Sequence, residues 1–317
     1  MDQSKLDTEL AEALLDFPVL DIWDDIPAVR AHVDEIADAI QLNQGTSDGV
    51  STSDHLIPGP EGAPWVSVRV YRPKDGGASL PALLWMHGGG YVLGSLQGDD
   101  YLVRCLVEQV RCIVVSVDYR LAPEHPFPGP LEDCYAALLW LAGHADALGV
   151  DPTRLAIGGL SAGGGLAAGL AILARDRATV KIMFQMLLCP MIDDRNITAS
   201  SHAVMDPRLW NRESNKRGWA AYLGDLYGTK SIPACAAVSR AENLNDLPPA
   251  YIPVGSLDLF LDENIKYANG LNKASVPADL QVFPGGFHAF EFVVPTARVS
   301  KLAMTMHYEK LRAAFGL

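Results

Sequence analysis

Between Arg154 and Arg175 run 20 residues, Leu155–Ala174, without a single charge. A stretch this apolar leaves water, either for a bilayer or for a protein core. Six of the 20 residues are Gly and one is Ser161, too many backbone breaks for a stable spanning helix. The segment reads instead as a buried strand (Leu155-Ala156-Ile157), a tight turn (Gly158 to Gly164) and a core helix from Leu166. A strand that turns at once into a buried helix commits the chain to packing helices on a sheet.

The rest of the chain repeats that grammar. From about Trp65, apolar runs of strand type alternate with longer helical stretches: Trp65–Tyr71, Ala82–Met86, Cys112–Val117, Leu155–Ile157, Lys181–Leu188, Ala250–Val254 and Leu280–Phe283. Predicted helices lie between them at Asp99–Val110, Pro130–Ala147, Leu166–Arg175 and Glu263–Ala274, with a last one at Pro295–Phe315. Continuous apolar strands separated by helices predict an α/β fold, a mostly parallel sheet covered on both faces. No repeat of fixed period is present. Two segments break the alternation. Residues 1–50 carry Trp23, Ile26, Val29, Val33, Ile36 and Ile40 at helical spacing, and residues 193–230 carry Trp210, Trp219, Tyr222 and Tyr227 among charges. Together they read as a lid over the C-terminal edge of the sheet, where open α/β sheets bind ligands.

Composition removes some function classes. With 25 Lys+Arg against 38 Asp+Glu, the chain carries a net charge of -13, and that field repels a phosphate backbone, so nucleic acid is not an expected partner. Five cysteines form no Cys-x-x-Cys pair, and the first residues lack the basic and apolar regions of a secretory signal. A cytoplasmic protein with reduced thiols and no membrane span is the expectation.

Three places on this scaffold carry chemistry. Gly159-x-Ser161-x-Gly163, between a strand and a helix, has the form of a turn that presents a nucleophilic Ser on a strained backbone. Glycines two before and two after are needed because the chain approaches itself there. His87-Gly88-Gly89-Gly90-Tyr91 follows the Ala82–Met86 strand, and its unencumbered amides can face a developing oxyanion. It lacks the Gly-Lys-Ser/Thr of a phosphate loop and the spacing of a dinucleotide fingerprint. Among eight histidines, His288 follows the last strand on the loop Gly285-Gly286-Phe287-His288, at the same sheet edge as Ser161. His32, His55, His125, His144, His202 and His307 read as surface or core residues, and His87 as a residue that shapes its loop. The acid that orients the base is Asp258, three residues past Gly255, with Asp262 as a rival better placed to cap the following helix. The order Ser161, Asp258, His288 is that of an α/β hydrolase.

These residues, with Asp118-Tyr119-Arg120-Leu121-Ala122-Pro123-Glu124-His125-Pro126-Phe127-Pro128, Gly164 and Phe287-His288-Ala289-Phe290, resemble the hormone-sensitive-lipase-like (bacterial family IV) branch of the α/β hydrolases. The likeness spans residues 85–290. It implies carboxylic-ester hydrolysis with no metal and no organic cofactor, and oxyanion donors at the backbone N–H of Gly89, Gly90 and Ala162. It also implies a division into N-terminal cap helices (1–50), a first core part (51–192), a cap insertion (193–230) and a second core part (231–317). Asp118 and Arg120 belong to a structural loop in that resemblance. One position departs from it: Leu160 stands where the family has Asp before the nucleophile, which bears on subfamily and substrate preference.

The expected substrate is a small hydrophobic ester of a short- to medium-chain acid, because the lid segments are apolar and aromatic. Tyr91, Leu160, Met191, Trp210, Trp219 and Tyr222 are the candidates for its pocket. A lactone or an acetylated small molecule would suit the same triad, as would an amide. A non-catalytic ligand receptor on this fold is the reading from a different class, and it would be expected to lack His288. The edge strand near Leu280–Phe283 could pair with its copy in a homodimer, or stay protected by Pro277 and Pro284 in a monomer.

Overall fold

In the computed structural model, residues 1–19, 22–44 and 49–317 are described, and for 36–44 the backbone alone. The helical spacing assigned to Ile36 and Ile40 lies outside the described side chains. Eight strands form one sheet: β1 Val50–Ile57, β2 Val66–Pro73, β3 Leu80–Met86, β4 Ile113–Asp118, β5 Val150–Leu160, β6 Phe184–Leu188, β7 Ala250–Gly255 and β8 Ala278–Phe283. Their order is β1-β2-β4-β3-β5-β6-β7-β8. The pairs β1–β2 and β2–β4 are antiparallel, and every pair from β4 to β8 is parallel. The expected α/β fold with a mostly parallel sheet is what forms.

The central strands are apolar because both faces are covered. Residues 82–86 and 113–117 are wholly buried. On one face, α3 (Asp100–Val110) and α11 (Arg298–Phe315) place Leu102, Leu106, Leu311 and Phe315 against Trp85 and Val114. On the other, α4 (Gly129–Gly143), α6 (Ala162–Arg177) and α9 (Leu261–Lys273) place Leu138, Leu170 and Leu271 in a core shared with Leu84, Val115 and Ile157. Helix α6 is buried on nearly every side, which is why the 20-residue segment carries no charge. Among the described residues, no helix is long and apolar enough to cross a membrane, and all five cysteines are free.

Strand β1 was not foreseen. Its sequence, Val50-Ser-Thr-Ser-Asp-His-Leu-Ile57, has an apolar residue buried only at its two ends, so an edge strand with solvent on both sides left no alternation to read. His55 lies in it, and Val50, set at the end of the N-terminal segment, opens it. The expected Pro130–Ala147 helix ends at Gly143 and is followed by the short α5 (Ala145–Leu148). Asp262 does not cap α9: the N-cap is Phe260, and the Asp262 carboxylate accepts from the Ser200 N–H at 2.8 Å.

The two excursions meet. The N-terminal segment holds α1 (Thr8–Leu14) and α2 (Ile26–Gln44), and the segment after β6 holds α7 (Ala199–Ala203) and α8 (Arg212–Leu223). His202 sits in α7. Arg208 Nη1 donates to Leu14 O at 2.8 Å, and Trp23 packs on Trp210 with ring centroids 6.4 Å apart. Helix α1 also reaches the last loop of the sheet: Leu10 packs with Phe283, Phe287 and Phe290, and Phe17 meets Phe287 edge to face.

Candidate active site

Sheet register brings the candidate residues to one edge. Met86 pairs with Gly159 and Gly159 with Leu187, so the chain leaves β3, β5 and β6 side by side at their C-terminal ends. Gly255 of β7 pairs with Phe283 of β8, which puts Asp258 and His288 on neighbouring loops.

Ser161 sits at φ 57°, ψ -115°, a conformation L-residues avoid. Three backbone bonds hold it there: its N–H donates to Leu188 O at 2.8 Å, and its carbonyl accepts from Gly165 N–H at 2.9 Å and Met191 N–H at 3.0 Å. The sharpness of the turn explains its glycines. A Cβ on Gly163 would lie 2.1 Å from Met86 O, and one on Gly159 2.4 Å from Gly163 O, so neither position has room for a side chain.

The side chains form a relay. Ser161 Oγ lies 2.9 Å from His288 Nε2, and His288 Nδ1 lies 2.8 Å from Asp258 Oδ2. A carboxylate only accepts, so the Nδ1 proton faces Asp258 and Nε2 is left to accept from the Ser hydroxyl. The other Asp258 oxygen accepts from Phe260 N–H at 2.8 Å, and the Phe260 ring stands edge-on to the imidazole at 4.9 Å. All three residues are buried, with His288 the most exposed at 9%. A desolvated relay of this kind strengthens each bond in it.

Beside it lies the glycine loop. Gly89 and Gly90 have φ of 121° and 60°, and among the described residues nothing accepts from their N–H groups. Ala162 is the first residue of α6, so its amide has no partner within the helix, and the positive end of α6 faces the same space. His87 keeps the loop in shape: its ring stacks on Tyr119 at 4.2 Å, and Nδ1 lies 2.8 Å from Gly88 O. Its Nε2 is buried without a partner, and burial pushes the imidazole down to about 4.

The candidate pocket residues divide into two sets. Tyr91 stacks on Tyr222 at 4.0 Å and tilts against Trp219, its hydroxyl donates to Met191 O at 2.9 Å, and all four residues are at most 1% exposed. They form a packed wall joining α8 to the glycine loop. Leu160 and Trp210 are half-buried. Leu160 borders Gly88, and Trp210 covers Gly90. Arg120 is a structural residue here, as Nε and Nη2 each donate to the fully buried Asp133 at 2.7 Å.

Several residues near the site escaped the sequence. Glu263 is buried and its Oε1 accepts from the N–H groups of Ile192 and Asp193, holding the loop after β6. Burial pushes its carboxyl well above the ordinary value. Behind the His288 loop, His307 bridges Glu291 and Tyr251 at 3.2 and 3.1 Å. Cys189 is one of the five cysteines that the sequence marks only as reduced thiols. Its place at the end of a strand, at the edge that holds the relay, was the signal available.

The profile of the Abhydrolase_3 family, described by its alpha/beta hydrolase fold, matches residues 83–292. The chain is 38% identical over 285 residues to esterase LipI of Mycobacterium tuberculosis, covering 88% of this chain and 86% of that one. It is likewise 38% identical to carboxylic ester hydrolase LipN of the same organism, over 86% of this chain and 72% of that one. A solved structure titled bacterial heroin esterase superposes with a TM-score of 0.95 at 40% identity, covering 99% of both chains. The resemblance drawn from the motifs is thus met by sequence and by fold, and the chain belongs to the Abhydrolase_3 family of α/β hydrolases.

Proposed function

We propose that this protein is a carboxylesterase that hydrolyses esters of short- to medium-chain acids through an acyl-enzyme. The relay from Ser161 through His288 to Asp258, set on the strained turn, carries this reading. Ser161 Oγ attacks the ester carbonyl carbon while His288 Nε2 takes its proton. The carbonyl oxygen becomes an oxyanion and accepts from the Gly89, Gly90 and Ala162 amides. Collapse of that intermediate breaks the bond to the alcohol oxygen, which takes the proton from His288. Water then gives a proton to His288 and attacks the acyl-enzyme, and the second tetrahedral intermediate releases the acid and restores Ser161. Asp258 holds the imidazole in the required tautomer and stabilises the imidazolium. No metal or cofactor enters these steps.

In the same reading, residues 1–49 and 193–230 make the cap, and 50–192 and 231–317 the hydrolase core. The contacts of Arg208 with Leu14 and of Trp23 with Trp210 support it. Leu160 and Trp210 bound the acyl or alcohol pocket beside the glycine loop. The protein works in the cytoplasm on small hydrophobic esters and does not bind nucleic acid. Strand β8 ends the sheet with one side unpaired, and antiparallel pairing of two copies there makes a homodimer, which light scattering would register as twice the 34.2 kDa chain mass.

The test is hydrolysis of p-nitrophenyl esters from acetyl to dodecanoyl by the wild type and Ser161→Ala. Turnover that is greatest for the shorter chains and absent in the variant is expected. A folded wild-type protein inert toward every ester would overturn the reading.

A further inference from the structure

We infer that Cys189, Asp258 and His288 form a second, inhibitory site for a thiophilic divalent cation such as Zn²⁺, placed inside the catalytic relay. One ligating atom from each of the three residues lies within 4.8 Å of the other two. Cys189 comes from the end of β6, Asp258 from the loop after β7 and His288 from the loop after β8, so the sheet itself holds the cluster together. A thiol, an imidazole and a carboxylate are a zinc donor set, and three protein ligands leave the fourth tetrahedral position for water. Zinc bonds of about 2.0–2.3 Å set tetrahedral donors about 3.3–3.7 Å apart, so a side-chain adjustment of about 1 Å closes the cluster on an ion. Softness decides which ions fit: the thiolate selects Zn²⁺ or Co²⁺ over Mg²⁺ and Ca²⁺.

The three residues are 3%, 1% and 9% exposed. The most open one, His288, also faces Ser161, so an ion enters by the opening that the ester uses. Binding forms metal–sulfur, metal–nitrogen and metal–oxygen bonds; the thiol proton goes to solvent, and the proton of the imidazole nitrogen that faced Asp258 passes to the other ring nitrogen in the opposite tautomer. The Asp258–His288 hydrogen bond is lost, and the imidazole no longer serves Ser161. Hydrolysis stops without any covalent change, and a chelator restores it.

The inhibition experiment rests on the catalytic reading above, whereas metal spectroscopy does not. The wild type, Cys189→Ala and Cys189→Ser are assayed on p-nitrophenyl acetate across a Zn²⁺ titration, each against its own metal-free rate. Co²⁺ is then titrated into each protein and the absorption spectrum recorded. Zn²⁺ should inhibit the wild type, EDTA should reverse it, and equal Mg²⁺ should have no effect. Loss of the sulfur ligand should raise the half-inhibitory Zn²⁺ concentration about tenfold or more. Co²⁺ bound to the wild type should show a thiolate-to-metal charge-transfer band in the near ultraviolet, absent from both variants. Equal Zn²⁺ sensitivity of wild type and variants would overturn the inference, as would Co²⁺ saturation with no thiolate band. If the protein proved inert toward esters, or the variants failed to fold, the wild-type Co²⁺ spectrum would still decide.

Discussion

The indole of Trp210 lies over Gly90 so closely that a Cβ on Gly90 would stand 2.0 Å from Cη2 of the ring. A residue of the excursion after β6 thus fixes the shape of a loop at the end of β3, and the glycine is required twice, by this contact and by its φ of 60°.

Gly90→Ala should therefore move Trp210 or twist the loop, and either takes an amide away from the oxyanion. A loss of about 10²–10³-fold in kcat is expected, the usual effect of losing one such donor. Steady-state kinetics beside circular dichroism would separate this from unfolding. Trp210→Ala in the Gly90→Ala background should recover part of the loss, since it removes the collision and leaves only the dihedral strain. An active Gly90→Ala single variant would remove the loop from the mechanism.

Ser161 stores strain that glycine would release. Holding a non-glycine residue in such a conformation costs about 1–3 kcal/mol, against roughly 0.5–1 kcal/mol for the extra chain freedom of glycine when unfolded. Ser161→Gly should then be more stable than Ser161→Ala by about 1 kcal/mol, and both should be inactive. Urea denaturation of the two variants measures the difference. If Ala were the more stable replacement, the turn would hold no strain.

Most of the relay was legible because its positions follow from strand ends. Once Leu155–Ile157, Ala250–Val254 and Leu280–Phe283 are read as parallel strands, Ser161, Asp258 and His288 must come out at one edge, and the structure brings them within hydrogen-bond distance. What stayed hidden had no periodic or local signature. The polar edge strand β1 buries almost nothing. Partners such as Glu291 and His307 are 16 residues apart and meet only when the His288 loop docks on α11. Asp262 looked like a cap because an acid ahead of a helix often is one, yet its carboxylate is spent on the Ser200 amide.

His87 should make stability fall in acid. Burial holds its pKa at about 4, against the ordinary imidazole value of 6.5. Below 6.5 the unfolded chain takes up a proton that the folded one refuses, so stability is full above about 6.5 and declines as pH falls toward about 4. The gap corresponds to about 3 kcal/mol. Between pH 7 and pH 4.5, the wild type should lose about 2–3 kcal/mol more unfolding free energy than His87→Gln. Parallel pH curves for the two proteins would mean that the ring is not held neutral by its surroundings.

Glu291 lies three residues after His288 at the start of the short helix α10 (Phe290–Val293), and its carboxylate meets His307, which is wholly buried in α11. His307 reaches on to the Tyr251 hydroxyl in β7, so one polar chain ties the loop of the base to the sheet and the last helix. Glu291→Ala strands His307 in the core, and an orphaned buried polar group costs about 1–3 kcal/mol. The same change frees the loop that holds His288 at its 2.9 Å approach to Ser161. Because small misplacements of a catalytic group are expensive, kcat should fall about tenfold while KM stays near the wild-type value. Glu291→Gln keeps an oxygen in reach of His307 and should recover most of both losses. If Glu291→Ala lowered stability but left kcat unchanged, the chain from Glu291 to Tyr251 would support the core alone and the base would be positioned by Asp258 and Phe260.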